Sequence, residues 1–174
     1  MPSLISKSNA EKAVGVVRDA GGEVVGKTRL QKMAYLLEIT GLGAGFQFEY
    51  RHYGPYSEEL ADAIASAQFW DMASEDERVA NWGGTYSVFK VASSDKSGEI
   101  NPARKRLLSL AAAANPVSLE LAATAAFLAH ENWKDPWQET ARRKPEKAEK
   151  YLEEAKLLYG KLRNVPTPDP LPKI

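Results

Sequence analysis

The spacing of apolar positions changes period along the chain, and each change marks an element. Leu30, Met33, Ala34 and Leu37 fall at i, i+3, i+4 and i+7, which places them on one face of an α-helix. Tyr35 and Leu36 widen that face, predicting a helix over 27–40 that is buried on more than one side. Gly41, Gly43 and Gly45 stop it. The period then becomes two. Phe46, Phe48, Tyr50 and His52 alternate with Gln47, Glu49, Arg51 and Tyr53, predicting a half-buried strand over 46–53 with the first set inward. Gly54-Pro55 closes that strand, because proline has no N–H for a ladder. Ser57 reads as an N-cap, with Glu58 and Glu59 in the first turn of a helix that ends at Trp70.

Upstream, Ser8 and Glu11 have the spacing of a capping box. Ala10, Ala13, Val14 and Val17 give an apolar face, predicting a helix over 9–20 that stops at Gly21-Gly22. Downstream, Met72 to Arg78 is acidic and reads as a loop. Val79 to Trp82, Gly83-Gly84 and Thr85 to Val91 read as a β-hairpin, followed by a polar loop to Glu99. Three helices and then a hairpin is the order of a winged-helix module.

The second half is helical throughout. Asn101-Pro102 starts one helix, with Leu107, Leu110, Ala111 and Ala114 on its apolar face, and Asn115-Pro116 ends it. Ser118 reads as the cap of the next, whose run LELAATAAFLA is apolar almost all round and predicts a central buried helix. Trp133, Pro136 and Trp137 read as an aromatic loop, and Arg142 to Pro145 as a basic turn. Lys147 to Leu162 is a last amphipathic helix. The prolines at 166, 168, 170 and 172 predict an extended, mobile tail. The fold class that follows is mostly α with a small β part (α+β). Residues 1–163 form one compact domain, winged-helix-like over 9–91 and a helical bundle over 101–163; 164–174 are a flexible tail.

Composition narrows the function classes. The chain has 174 residues, ordinary for one domain, and a formal net charge of zero, which argues against bulk electrostatic attraction to nucleic acid. It has no cysteine, so thiolate chemistry and Cys-based metal sites are excluded; a reducing, cytoplasmic setting is the expectation. No leader pattern and no membrane-spanning run are seen.

The candidate chemistry is thin. Gly21 to Thr28 matches the pattern G-x-x-x-x-G-K-T of a phosphate-binding loop. Such a loop needs an apolar strand ending at its first glycine, and here a helix precedes it. His52 and His130 have no partner at metal-ligand spacing. His52 sits in the inward set of the strand and reads as a core histidine, while His130 ends the apolar helix, where it suits the helix dipole. Glu58, Glu59 and Asp62 read as a solvated helix start. No catalytic constellation, cofactor or metal is expected.

Two surface sets remain. Tyr53, Tyr56, Trp70 and Trp82 stand at turns or element ends, where anchors for a protein partner could sit. Lys27, Arg29, Lys32 and Arg51 could meet phosphates in a winged-helix protein. The third helix, however, carries three acids and no Lys or Arg, which opposes docking on a phosphate backbone.

The segments TRLQKMAYLLE and FEYRHYGPYSEELADAI, with LELAATAAFL and ARRKPEKAEKYL loosely following, resemble an uncharacterised bacterial and phage family, the YwgA-type proteins. More distantly they are similar to the Panacea, or SocA-like, antitoxin domain. The resemblance covers about residues 26–70 well and 118–152 loosely. It implies a mostly helical domain and, for the Panacea group, one that binds and neutralises a toxin protein, often with an extra toxin-choosing segment that has no obvious counterpart here. The expectation is therefore a non-enzymatic, antitoxin-like protein-interaction module. The alternatives are a nucleic-acid-associated regulator and an unrecognised enzyme or nucleotide binder.

Overall fold

The structure is a computed structural model and describes residues 4–92 and 100–174; the polar loop expected over 93–99 lies outside the described residues. The element order is α1 (Leu4–Asp19), β1 (Glu23–Val25), α2 (Lys27–Ile39), β2 (Glu49–Arg51), β3 (Gly54–Tyr56), α3 (Glu58–Phe69), β4 (Ala73–Val79), β5 (Thr85–Val91), α4 (Pro102–Ala113), α5 (Pro116–His130), α6 (Pro136–Arg143) and α7 (Pro145–Arg163). It is mostly α with a small antiparallel β part.

The first half has the winged-helix arrangement. α1, α2 and α3 are followed by the β4–β5 hairpin, and β1 adds to the far side of β5, giving the sheet order β1-β5-β4. β1 is the strand that periodicity misses. Glu23-Val24-Val25 is too short to show alternation, and only pairing Val24 with Phe89 across the sheet makes it a strand. β4 corrects the acidic loop expected at Met72 to Arg78. Its seven residues are mostly exposed, so no apolar stripe announces them; the ladder to β5 holds them extended.

Two further corrections concern turns. The alternating segment is a strand only over 49–51, and the chain reverses at His52-Tyr53 rather than after them. Gly54, at φ 90°, returns the chain so that Pro55 lies opposite Tyr50 in a two-stranded ribbon. Phe46 is buried, and Phe48 and Tyr50 stack against Tyr35 and Phe127, so the inward set holds up to Tyr50. His52 is then in the turn and exposed, not in the core. Ser8 lies inside α1, which begins at Leu4, and so is not its cap.

In the second half the asparagines do the capping. Asn101 Oδ1 accepts from the amides of Ala103 and Arg104, and Asn115 Oδ1 from those of Val117 and Ser118, with proline at each first helical position. Ser118 is thus inside α5, not its cap. The aromatic loop contains a helix start: Asp135 caps α6 through the Gln138 amide. α5 is buried nearly all round, as its sequence predicts, and packs on α2, α6 and α7. One core cluster joins Leu36 and Met33 of α2 to Leu107 of α4, Leu119 of α5 and Leu158 of α7. The proline tail is extended but docked. Leu171 and Val165 are buried, the Asp169 amide donates to Thr40 O at 3.0 Å, and Tyr159 Oη donates to Pro172 O at 2.6 Å.

Candidate functional site

The sequence Leu30-Gln31-Lys32 is the clasp of the ribbon. All three residues are buried, the two polar ones included, and a buried polar group needs a partner. Gln31 forms a reciprocal pair with the main chain of Ser57: its Nε2 donates to Ser57 O at 3.0 Å, and its Oε1 accepts from Ser57 N at 2.8 Å. Lys32 Nζ donates to Pro55 O at 2.7 Å. Ser57 in turn caps α3 by accepting the Leu60 amide. The Gln-Lys pair and the Gly-Pro-Tyr-Ser turn, far apart in sequence, are two halves of one hydrogen-bonded joint.

Behind the joint lies a charged cluster that sequence reasoning misses. Glu120, on the otherwise apolar α5, is buried and receives Lys144 Nζ at 2.8 Å and Lys147 Nζ at 2.9 Å. Lys144 also donates to His52 O at 2.9 Å. Thr124, one turn on, is fully buried with its hydroxyl unpartnered and faces Gly54. Burial lowers the Lys32 amine to about 7, with Lys144 and Lys147 adding to the shift and Glu120 opposing it. The one legible signal was Glu120 itself, a lone carboxylate in an apolar run.

In front of the joint, α2, α3, the ribbon and the sheet enclose a groove of about 470 Å³. Leu30, Leu60, Ile64 and Phe89 form its apolar floor, and Tyr53 and Tyr56 stand along its wall. Lys27 and Glu75 close the far rim, their charges 3.7 Å apart. Ser87 Oγ donates to Glu75 at 2.5 Å and Gln68 Nε2 at 3.1 Å; these bonds, that of Ser87 above all, hold the carboxyl below its usual range. A larger cleft, about 940 Å³, opens between the α5–α6 turn and the tail. Its walls are mostly exposed residues of 132–138 and 173–174, without the buried apolar floor of the first.

The aromatic set divides. Tyr53 and Tyr56 meet in the groove, Tyr53 half exposed beneath Lys147 and Tyr56 beneath Arg51. Trp70 and Trp82 do not join them; they flank opposite ends of β4. The basic set divides too. Arg29 Nη1 donates to the carbonyls of Ala111 and Ala114 at 2.8 Å, closing the end of α4. Lys32 is 1% exposed, and Arg51 pairs with Glu49 and Glu58. Lys27 is the most exposed of the four, and it too faces a carboxylate, that of Glu75. His130 is exposed at the end of α5. The phosphate-loop match folds as helix stop, β1 and helix start. Its Gly22 amide donates to Val17 O and its Gly26 amide to Ser87 O, so these donors are committed within the fold.

Among the described residues no helix is long and apolar enough to cross a membrane. No family model, no curated protein and no solved structure matches the chain.

Proposed function

We propose that the chain is a non-enzymatic protein-interaction module, antitoxin-like in that it binds and neutralises a partner protein by steric capture. The observation that carries the reading is the groove: a cavity over a buried apolar floor, walled by the half-exposed Tyr53, the shape that receives a hydrophobic anchor from a partner. The engagement of Arg29 and Lys32 within the fold, and of Arg51 by two surface carboxylates, supports it over a phosphate-binding surface. The resemblance of TRLQKMAYLLE and YGPYSEEL to the YwgA-type and Panacea proteins points the same way.

The test is co-expression with each small reading frame adjoining the gene. One frame should be toxic alone and harmless with this chain. Ala65→Arg, an exposed position lining the groove, should remove the protection while leaving the circular dichroism spectrum unchanged. Protection that survives Ala65→Arg, or no toxic neighbour at all, refutes the reading.

A further inference from the structure

The sheet order β1-β5-β4 leaves one side of β4 without a strand. The phase of the ladder says which backbone groups face that side. The Gly26 amide donates to Ser87 O at 2.7 Å and the Val91 amide to Gly22 O at 3.0 Å, so the odd-numbered residues of β5 direct their main chain toward β1. The even-numbered ones, Tyr86, Val88 and Lys90, therefore serve β4 through their register partners Arg78, Asp76 and Ser74. The Ala80 amide, donating to Gly84 O at 2.7 Å, continues the same phase past the end of the strand. It follows that the N–H and C=O groups of Ala73, Glu75, Glu77 and Val79 point out of the sheet. None of them has a main-chain partner among the described residues.

A row of open main-chain groups of this length is a template for an added strand. Exposed apolar side chains bracket it: Phe69 and Trp70 before β4, Val79 at its last position and Trp82 after, Trp82 being 77% exposed. The strand itself carries three acids and one base. Lys27 faces Glu75, and Lys90 and Arg78 face Asp76, all at 3.7–3.8 Å, while Glu77 has no ion-pair partner among the described residues. The same charges oppose a second copy of this chain. In the antiparallel register that pairs all seven residues, Asp76 meets its own counterpart and Glu75 meets Glu77 twice, and like charges directly opposite are destabilising.

We propose that the free edge of β4 takes an extended, lysine- or arginine-rich segment of another polypeptide as an added strand. The inference rests on the reading of the chain as a protein-binding module, but uses the main-chain edge of β4, which meets the groove only at Glu75.

The probe is a short fluorescent peptide of alternating lysine and valine, titrated against the full chain by anisotropy, with a glutamate-for-lysine peptide as control. Saturating lysine peptide should slow amide exchange at Ala73, Glu75, Glu77 and Val79 and leave β1 unaffected. Glu77→Pro removes one outward N–H and none of those paired with β5, so it should weaken the peptide by about tenfold or more with the β4–β5 amides still protected. Glu77→Lys keeps the edge and reverses the charge; it should weaken the lysine peptide and strengthen the glutamate one. No binding by the lysine peptide, equal binding by both peptides, or unchanged binding to Glu77→Pro overturns the proposal. Ala65→Arg should leave peptide binding intact. If that variant loses protection from a toxic partner while the edge variants change nothing, the groove reading stands and the edge falls.

Discussion

Lys32 makes stability depend on pH in a direction opposite to that of most lysines. A lysine that gains a carboxylate partner has its pKa raised and is stabilising when charged. Lys32 is 1% exposed, bonded to a neutral carbonyl, and its amine is lowered to about 7. In the unfolded chain it titrates near the ordinary value of about 10.4. Between those two values the unfolded state holds the proton and the folded state has released it, so stability rises with pH across about 7 to 10. The native amine is half protonated at about pH 7 and bare by about pH 9. Integrating the proton difference at about 1.36 kcal/mol per unit gives a rise of about 2 kcal/mol over that interval. The measurement is urea unfolding of the wild type and of Lys32→Met at several pH values between these limits. Subtraction cancels the other titrating groups that the variant leaves unchanged. The wild type should gain about 2 kcal/mol more than Lys32→Met on going from pH 7 to 9. The absolute offset between the two is immaterial, because the substitution also leaves Pro55 O without its donor. Parallel pH profiles would show that the native amine keeps its proton to ordinary values and that the cluster around Glu120 supports a buried charge.

Other outcomes follow from the same joint and from the tail. Gln31→Met removes both bonds to Ser57; the Ser57 carbonyl keeps the Ala61 amide but its N–H is orphaned, so a loss of about 1–3 kcal/mol is expected in urea unfolding. Gly54→Ala forces a Cβ onto a backbone at φ 90° and to 2.5 Å from Thr124 Oγ1; it should cost about 2–4 kcal/mol, and adding Thr124→Ala should return part of that loss, strict additivity being the contrary result. Leu171→Ala should cost about 2–4 kcal/mol and release the Asp169 amide to exchange, whereas a tail that contributed nothing would leave both unchanged.

The resemblance on which the functional expectation leans gains a physical meaning from the joint. The residues that carry it, Gln31, Lys32, Gly54, Pro55 and Ser57, are engaged with one another. They hold the ribbon against α2 and set the start of α3, and so shape the groove from behind. Lys32 and Tyr56 were read as candidate contacts on separate grounds; Lys32 holds the ribbon and Tyr56 lines the groove it shapes.

What the sequence determined by itself is what short-range physics controls. Periodicity located the amphipathic helices, because burying one face needs apolar residues at helical spacing wherever that face points. Glycine pairs and Asn-Pro pairs placed the helix ends, because positive φ and the missing proline N–H are local constraints. The order of these elements was enough for a mostly helical chain with a small β part. The tertiary structure decided everything that depends on a partner distant in the chain. β1 and β4 exist because β5 lies between them, not because their own residues alternate. His52 was assigned to the core because alternation cannot show where a ribbon turns; the chain reverses at His52-Tyr53, so that Gly54 and Pro55 already belong to the returning strand. Lys32, Glu120 and Lys144 look like surface charges in the sequence and are interior ones in the fold. A charged side chain's burial is settled by whether another element brings it a partner, and only the packing of α2, α5, α7 and the ribbon supplies those partners.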